Sequence, residues 1–576
     1  MAEGNFGINM KKLLVSDTSS HGIAIGPVYL VREEKPLISG AAPENRSEME
    51  AELAKYDAAV EKTVKSLTSM AAGNKIFAGH ISIARDIALR DAVKQRIYGQ
   101  GLNAERAADG AVKEVSRMFL NLDDTYMRER AADVTDVGKR LVACMQNRTE
   151  NKFAGLKVPS VIVAESLLPS DTAALDKNLV LGFITEQGGV TSHVSIMAGN
   201  LGIPALVGAA GIMDIVSDGS VIVMDAAAGE IYVDPDRKFA DDFLKRKKRV
   251  ELEQQKYADE ACLPTVTRDG HGVKVYANVG NLNDIEQAAS LHADGVGLFR
   301  TEFLYMESSR FPTEEEQFNV YRKAVERLGG EMVIRTLDIG GDKKLSYYQF
   351  MPEANPVLGL RAIRLCLRHP EVFKTQLRAI LRASHYGRLR IMLPMMVSLE
   401  EAEQSLGIIS EVKRELSAVN IPYDSNIPVG MMVETPAAVI CAGDFAKVMD
   451  FFSIGTNDMT QYTLAADRCN KEVGGLYSPL YPSVLRSVKR VIDEGHKAGI
   501  KVGMCGEFAA DKRAAKLLLG LGLDEFSMSA SCTPAIKSAL RGMDFEEARG
   551  FACKVVSMEH ISDIKAALEK SYGGEV

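Results

Sequence analysis

The chain has few cysteines, no long apolar run and no excess of positive charge. Its eight cysteines are scattered over 576 residues, with no C-x-x-C pair and no metal-ligand spacing, which favours a reduced, cytosolic protein. No apolar run approaches the roughly 18 residues that a membrane-spanning helix requires. The net charge of −8 argues against a nucleic-acid binder, which should be basic. A globular cytoplasmic protein is therefore the expectation.

The N-terminal residues contain a short leader-like segment. Residues 10–15 (MKKLLV) have the charge and the apolar start of a signal peptide, but Ser16 and Asp17 end the apolar stretch. That stretch is too short for the apolar region of a signal peptide. We expect no leader, and we expect residues 1–9 to be a loose extension ahead of a natural start near Met10.

Length predicts about three to four domains, because 576 residues exceed what one hydrophobic core supports. Strand signals occur at 22–30 and return from 160 to 233, whereas residues 43–147 are rich in Ala, Glu, Lys, Arg and Leu at helical spacing. The simplest assembly is an α/β domain formed by residues 1–35 and 148–235, with a helical bundle (36–147) inserted into it.

A charged segment, 236–262, follows the α/β domain and includes the basic run KRKKR. We interpret this segment as a linker helix with a solvated basic face, although such a run could also contact an anionic partner. Residues 263–576 alternate between strand and helix signals, which is typical of a parallel sheet. Eight candidate strands lie at 273–279, 295–299, 332–337, 389–395, 429–433, 451–454, 501–504 and 525–528. They predict a (β/α)8 barrel, with a doubly wound open sheet as the alternative.

The most informative segment is GGVTSHVSIMAGNLGIPALVG (188–208). An apolar run that predicts a strand, 179–185, precedes it, and apolar residues at helical spacing follow His193. His193 should thus stand where a helix begins, and a helix N-terminus favours an anion. A neutral imidazole there could accept a phosphoryl group. The alternative is that His193 only caps the helix or packs.

Residues of reactive types follow five of the predicted barrel strands. They are Arg300 and Glu302 after the second strand, Arg335, Asp338 and Asp342 after the third, Glu434 after the fifth, Asn457, Asp458 and then Arg468 after the sixth, and Cys505 and Glu507 after the seventh. Because the carboxyl ends of barrel strands meet at one mouth, we expect these side chains to converge there.

The mixture of side chains at the mouth indicates a class of substrate. Several arginines supply bidentate donors for phosphate and carboxylate oxygens, so a small molecule with both groups is the natural guess. Glu434 and Asp458 suit Mg²⁺, which usually takes one or two protein carboxylates. Cys505 can act as an acid among polar groups, although a buried apolar thiol is the usual alternative.

The segment around His193 resembles the phosphohistidine signature of the phosphoenolpyruvate-utilising enzymes. The barrel strings resemble the phosphoenolpyruvate-binding barrel of the Enzyme I group in that family. These strings are GLFRTEFLYM (297–306), RTLDIGGDK (335–343), NPVLGLRAIR (355–364), IGTNDMTQYTLA (454–465), DR (467–468) and GMCGE (503–507). The resemblance extends from about residue 20 to 570 in the same order.

The resemblance implies a role for each matching residue. His193 is expected to be the phosphoryl acceptor, Thr172 to hydrogen-bond to its imidazole and Cys505 to protonate the enolate, giving pyruvate. The residues implied for binding the phosphate and carboxylate of phosphoenolpyruvate are Arg300, Arg335, Arg361, Asn457 and Arg468. Glu434 and Asp458 are implied as the Mg²⁺ ligands.

The remaining features favour the Enzyme I group over its relatives. The chain lacks the Gly-rich phosphate loop and the extra length of a nucleotide-binding domain, which pyruvate phosphate dikinase and phosphoenolpyruvate synthase need. The helical insert is implied to dock the histidine-containing phosphocarrier protein HPr. We expect no sensory module of the nitrogen-regulatory variant, because residues 1–20 are too few to form one. A homodimer through the barrel is expected by resemblance. A non-catalytic regulatory paralogue that binds a carrier protein is the alternative, and the presence of His193, Cys505 and both metal carboxylates weighs against it.

Overall fold

The structure is a computed structural model of the 576-residue chain. It describes residues 11–15, 22–32, 42–70, 75–120, 125–146, 152–153, 155–167, 175–188, 195, 198, 203–341, 343, 345, 347–468, 470 and 472–573. The chain divides into two compact units, Met1–Glu251 and Leu252–Val576.

The first unit contains a mixed sheet of seven described strands. They are β1 (Lys11–Leu14), β2 (Ile23–Val31), β3 (Ser160–Ala164), β4 (Val180–Thr185), β5 (Ala205–Val207), β6 (Val221–Asp225) and β7 (Glu230–Val233), in the spatial order β1-β7-β6-β2-β3-β4-β5. Strand β2 pairs in parallel with β3 and antiparallel with β6. Strands from both sides of the helical segment therefore share one sheet. The leader-like residues form edge strand β1, which an ion pair between Lys12 and Glu230 (2.8 Å) ties to β7.

Five helices are described between β2 and β3 in sequence. They are α1 (Arg46–Met70), α2 (Lys75–Ala84), α3 (Ile87–Gln100), α4 (Ala104–Leu120) and α5 (Thr125–Met145). Their inward faces form one core that includes Tyr56, Val93 and Leu141. Asp86 caps the start of α3, and Gly101 ends it in a left-handed conformation (φ 61°) that glycine adopts at little cost. The helices thus form a core separate from that of the sheet.

Two further helices lie wholly within the described residues before the barrel. A short helix, α6 (Ile212–Ile215), precedes β6, and a long one, α7 (Arg237–Asp259), follows β7. No residue of α7 is buried. The basic run within α7 is accordingly a solvated helical face, as its composition predicts.

The second unit is a closed barrel of eight parallel strands. They are β8 (Lys274–Val279), β9 (Gly295–Arg300), β10 (Glu331–Arg335), β11 (Leu389–Leu393), β12 (Val429–Val433), β13 (Phe451–Ile454), β14 (Lys501–Met504) and β15 (Glu525–Ser529). Strand β15 pairs with β8 through Phe526 and Val275, which closes the sheet. The predicted barrel is therefore confirmed, and the open-sheet alternative is wrong.

Fourteen described helices surround or extend the barrel. They are α8 (Leu282–Ser290), α9 (Glu302–Met306), α10 (Glu314–Leu328), α11 (Ile363–Arg368), α12 (Pro370–Ser384), α13 (Leu399–Ala418), α14 (Pro436–Ile440), α15 (Ala442–Phe445), α16 (Thr456–Leu464), α17 (Pro482–Lys497), α18 (Lys512–Gly520), α19 (Thr533–Arg541), α20 (Phe545–Ser557) and α21 (Ile561–Gly573). Their apolar faces pack against the outward side chains of the strands in one continuous core.

The barrel interior is layered because alternate residues of each strand face inward. On β10, Met332 and Ile334 pack towards the helices, whereas Val333 belongs to a small interior cluster with Met392 and Met432. Arg335 lies two residues beyond Val333, so it also faces inward, and it lines the cavity at the mouth. The two-residue period of β10 therefore places Val333 in the apolar interior and Arg335 at the mouth above it.

A buried ionic cluster closes the opposite end of the barrel. The Arg390 guanidinium lies 3.0 Å from a carboxylate oxygen of Glu331 and 3.1 Å from one of Glu525. Tyr276 donates a hydrogen bond of 2.8 Å to Glu331, and Arg390 also lies over the Phe451 ring at 4.8 Å. A single buried cation therefore compensates two carboxylates.

Replacing Arg390 with methionine should strongly destabilise the barrel. The change leaves Glu331 and Glu525 close together without a buried cation, and breaking a buried ion pair costs about 3–5 kcal/mol. The denaturant midpoint of the barrel unfolding transition measures the effect. The matched control is Arg388→Met, at an exposed side chain two residues away, which should change stability by about 0.5 kcal/mol or less. Equal midpoints for the two variants would contradict this prediction.

Candidate functional site

A cavity of about 550 Å³ opens at the carboxyl ends of the barrel strands. It is lined by every described residue that the sequence singles out as a site residue: Arg300, Arg335, Arg361, Glu434, Asn457, Asp458, Arg468 and Cys505. These residues come from strands or loops far apart in sequence, and the closure of the barrel brings them together. The predicted convergence at the mouth is thus observed in the structure.

The centre of the cavity wall is a buried ion cluster on β10 and the loop that follows it. Arg335 pairs with Glu302 at the start of α9 and, at 3.2 Å, with Asp338. Lys343 lies 3.5 Å from Glu302 and 3.4 Å from Asp338. Arg335 is 7% exposed, and Glu302 and Asp338 are 3% and 1% exposed, so solvent screens these charges little.

Arg361 extends the ion cluster towards the next side of the mouth. Its guanidinium lies 2.9 Å from Asp338 and 3.4 Å from Asp458, and it also donates to the Tyr462 hydroxyl at 3.3 Å. Burial alone would raise the pKa of Asp338, but Arg335 and Arg361 outweigh it and hold that pKa well below its usual value. Asp338 therefore stays ionised and fixes both guanidinium groups in orientation.

Glu434 is a buried carboxylate directly beyond β12. One of its oxygens accepts a hydrogen bond of 2.7 Å from the backbone N–H of Met395, and a Cβ on Gly455 would lie 2.9 Å from the other oxygen. Burial, followed by the negative charges of Asp458 and Asp338, raises the pKa of Glu434 to about 8. The Arg335 and Arg361 charges oppose this rise, and a cation bound beside Glu434 and Asp458 would favour the ionised form of Glu434 further.

The side of the mouth formed after β13 carries polar groups that are more accessible. Asn457 accepts a hydrogen bond of 3.3 Å from the backbone N–H of Glu507, and the Tyr477 hydroxyl donates to its backbone oxygen at 3.1 Å. Arg468 is exposed. Burial raises the pKa of Tyr477, and a hydrogen bond with Arg468 opposes that rise. Tyr477 thus connects the Asn457 and Arg468 sides of the loop.

Cys505 lies at the base of the cavity, one residue beyond β14. It is 5% exposed and belongs to the apolar cluster inside the barrel, with Leu298 and Val333 among its other members. Burial raises the pKa of its thiol, although Ser453 and Arg335 oppose the rise. The thiol is accordingly protonated near neutral pH, which suits an acid better than a nucleophile.

Arg300 differs from the other arginines of the cavity. Its side chain is exposed, and it forms no ion pair with any other residue that the structure describes. Strand β9 ends at Arg300, so its position is fixed by the barrel while its guanidinium group remains available for an anion.

Three residues of the ion cluster were not assigned a role from the sequence. Glu302, Asp338 and Lys343 line the cavity and lie within the same strand-end strings as Arg300 and Arg335. Their proximity in sequence to those arginines was the available signal. Whether an acidic residue near a strand end binds substrate or holds an arginine depends on burial, which only the packed barrel provides.

His193 and Thr172 lie outside the described residues. Strand β4, predicted over 179–185, ends at Thr185, and the two described residues that follow His193 most closely, Ser195 and Ala198, are helical and buried. The predicted roles of His193 and Thr172 therefore stay predictions.

The described part of the chain, given by the ranges above, contains neither a large cluster of metal-ligating side chains nor a membrane-spanning helix. Among those residues, no group of three or more His, Cys, Asp or Glu side chains forms a metal-binding cluster. Glu434 and Asp458, which both line the cavity, are two carboxylates and so fall short of such a group. No helix in the described ranges has both the length and the apolar character needed to cross a membrane.

Three protein-family models match consecutive parts of the chain. The N-terminal model of the PEP-utilising enzymes matches residues 18–130, and the mobile-domain model of the same enzymes matches residues 156–229. Their PEP-binding-domain model matches residues 254–545, which is the barrel.

Curated proteins resemble the chain over nearly its full length. The phosphoenolpyruvate-protein phosphotransferase of Haemophilus influenzae is 41% identical, with 96% of this chain and 98% of that protein covered. The protein of the same name from Geobacillus stearothermophilus is 42% identical, with 98% of each chain covered. A solution structure of an Enzyme I protein (nEIt) covers 42% of this chain and 100% of its own, at 33% identity and a TM-score of 0.36.

Proposed function

Since this chain belongs to the PEP-utilising enzymes, and among them to the phosphoenolpyruvate-protein phosphotransferases, we propose that it transfers the phosphoryl group of phosphoenolpyruvate to its own His193 and then to a histidine of the phosphocarrier protein HPr, releasing pyruvate. This is the first step of the sugar phosphotransferase system. The observation that carries the proposal is the single cavity that collects four arginines, two paired carboxylates and a protonated thiol. The non-catalytic alternative is disfavoured, because a protein that only binds a carrier needs no such set.

The arginines of the cavity would bind the two acidic groups of the substrate. Arg335 and Arg361 are already oriented by Asp338, so little conformational entropy is lost when they bind oxygen atoms. Arg300 and Arg468 stand at the more exposed edge and, together with Asn457, would complete the contacts. Charge that develops on the phosphoryl group during transfer would meet donors that are in position beforehand.

Glu434 and Asp458 fit a bound Mg²⁺ ion. Both offer carboxylate oxygens, the ligand type that Mg²⁺ prefers, and the pKa of Glu434 is raised by burial and then by the negative charges of Asp458 and Asp338. When bound, the ion would neutralise charge on the phosphate and carboxylate of the substrate. The arginines would orient the substrate, and the buried floor of the cavity would limit the access of water.

Cys505 would supply the proton that converts the enolate to pyruvate. In the transfer step the bond between phosphorus and the enol oxygen breaks, a bond between phosphorus and an imidazole nitrogen of His193 forms, and the electron pair stays on the enolate. The Cys505 thiol then gives its proton to the enolate carbon, and the resulting thiolate regains a proton from water. Burial keeps the thiol protonated until that step because it raises the pKa.

In the second half-reaction, His193 must leave the substrate site and pass its phosphoryl group to a partner protein. The resemblance to Enzyme I supports the helical segment, α1 to α5, as the docking region for HPr, with Thr172 holding the His193 imidazole. It also supports a homodimer through the barrel and a cytoplasmic location. Because the PEP-binding site and His193 lie in separate units of the chain, His193 must alternate between substrate and carrier.

Intact-protein mass spectrometry after incubation with phosphoenolpyruvate and Mg²⁺ tests the proposal. We expect one acid-labile phosphoryl group per chain and an equal amount of pyruvate, and we expect purified HPr to remove the group. If a folded, Mg²⁺-loaded protein acquires no phosphoryl group, the proposed enzymatic function is wrong and the regulatory paralogue is favoured.

The dependence of Mg²⁺ binding on pH provides a separate prediction. Without the ion, Glu434 has a pKa of about 8, so it is protonated at lower pH and Mg²⁺ must displace its proton. The half-saturating Mg²⁺ concentration for phosphorylation should fall about tenfold per pH unit between pH 6 and 8 and level off above pH 8. Titrations at four pH values measure this, and Glu434→Gln should need much more Mg²⁺ and lose the slope. A constant value across the range for the parent protein would contradict the prediction.

A further inference from the structure

A chain of buried hydrogen bonds lies behind the ion cluster of the mouth. The Gln376 side chain on α12 accepts a hydrogen bond of 2.9 Å from the backbone N–H of Leu337 and donates one of 3.4 Å to the Tyr321 hydroxyl on α10. Tyr321 donates to the Gln317 side-chain oxygen at 3.0 Å, and Tyr305 on α9 donates to the same oxygen at 3.1 Å. Gln376, Tyr321 and Tyr305 are fully buried, and Gln317 is 1% exposed.

The Gln376 end of this chain fixes the backbone between two residues of the ion cluster. Strand β10 ends at Arg335, and the N–H of Thr336 still bonds to β11 through the Met392 oxygen at 2.9 Å. The N–H of Leu337 turns away from the sheet and is satisfied by Gln376 instead. Leu337 lies between Arg335 and Asp338, so Gln376 determines where the backbone of both charged residues runs.

The Tyr305 end fixes the helix that carries the partner of Arg335. Tyr305 belongs to α9, a helix of five residues that begins with Glu302. The Tyr305 hydroxyl is tied to Gln317, and its backbone oxygen accepts a hydrogen bond of 2.9 Å from Tyr347. Both members of the Arg335–Glu302 ion pair are therefore held by the same set of buried hydrogen bonds.

Every link of the chain has a defined direction. Burial raises the pKa of the Tyr305 and Tyr321 hydroxyls, so both keep their protons and act as donors to Gln317. The Gln317 amide donates in turn to the Pro312 backbone oxygen at 3.0 Å. Removing one buried member would leave its neighbours without partners, which makes the chain rigid.

We propose that Gln376, acting through Tyr321 and Gln317, is a positioning residue that sets the separation and orientation of Arg335, Glu302 and Asp338 for phosphoenolpyruvate binding. The inference rests on the proposed function, because it concerns the substrate of the same cavity. Gln376 does not line the cavity and acts only through the backbone at Leu337 and through α9. Groups that are held in place beforehand bind a ligand with a smaller loss of entropy, so a displacement of this support should weaken substrate binding.

The test compares Gln376→Met with Ser384→Ala. Methionine has a similar length but neither accepts from Leu337 nor donates to Tyr321. Ser384 lies on the same helix, is buried and accepts a hydrogen bond of 2.9 Å from the backbone N–H of Asp424. It precedes β11 and so lies at the opposite end of the barrel. Ser384 also donates to the Leu381 backbone oxygen at 2.6 Å, so each variant loses two hydrogen bonds of a buried side chain, but only Gln376→Met alters support for the mouth.

We expect the KM for phosphoenolpyruvate to rise at least tenfold in Gln376→Met, with kcat lowered no more than threefold and a thermal midpoint close to that of Ser384→Ala. Ser384→Ala should keep the parent KM. Tyr305→Phe, which breaks the chain at its other end, should raise KM about threefold, and it decides the question if Gln376→Met does not fold. An unchanged KM in the folded variants, with an active parent, overturns the inference. A parent protein that forms no pyruvate instead overturns the proposed function.

Discussion

His193→Ala should acquire no phosphoryl group from phosphoenolpyruvate while still binding it at the barrel. The proposed acceptor lies in the first unit of the chain, whereas the eight described residues proposed for substrate, metal and proton transfer lie in the second. Loss of the imidazole therefore removes the nucleophile and leaves the binding site unchanged. Pyruvate formation should fall to background, because no imidazole is present to accept the phosphoryl group.

Intact mass and isothermal titration with phosphoenolpyruvate together measure both parts of this prediction. His560→Ala is the matched control, since His560 is an exposed histidine of the barrel unit; it should be phosphorylated like the parent. Thr172→Ala should retain phosphorylation at a reduced rate, because the imidazole keeps its nitrogen and loses only the proposed hydrogen bond. A phosphorylated His193→Ala protein would show that another residue is the acceptor.

Cys505→Ala should lower the rate of pyruvate formation by about 10²- to 10⁴-fold, the range expected when a positioned acid is lost. The thiol is buried beside the cavity, and its raised pKa keeps the proton available for the enolate. Without that proton the enolate remains bound and reverse transfer from phospho-His193 competes. Substrate affinity should change little, because the four arginines remain in place.

Single-turnover measurements of pyruvate, with binding measured separately, check this outcome. Cys505→Ser should be intermediate at best, since a hydroxyl is a much weaker acid than a thiol. Cys553→Ala, at an exposed cysteine of α20, should behave as the parent does. If Cys505→Ala forms pyruvate at the parent rate, the proton comes from another group or from water.

The barrel was predictable because each of its strands carries a strong local signal. All eight predicted strands are present, and six of them match the observed bounds within one residue at each end. The strands predicted over 332–337 and 389–395 end early, at Arg335 and Leu393. The side-chain bond from Gln376 draws Leu337 out of the sheet, and Met395 adopts a positive φ of 58°. Contacts remote in sequence, rather than local preference, end these two strands.

The candidate site was predictable in its residues but not in its internal connections. Strand-end position and residue type were enough to identify Arg335, Glu434 and Cys505. The environment of each side chain does not follow from strand-end position or residue type. The pKa of Glu434, for example, is raised by burial together with the charge of Asp458. Glu302 was seen in sequence only as a neighbour of Arg300, yet it is the ion-pair partner of Arg335.

The order of the elements, the barrel and the chemical types of the groups at its mouth follow from the residues alone, because period-two patterns and strand-end residues are local properties. Three features depend on the packed barrel: which carboxylate holds which arginine, the burial of Cys505 among apolar side chains, and the support that Gln376 gives the mouth from behind. These depend on burial and on contacts between segments tens to hundreds of residues apart, and the strength of a buried charge or hydrogen bond is set by the surroundings that the closed barrel creates.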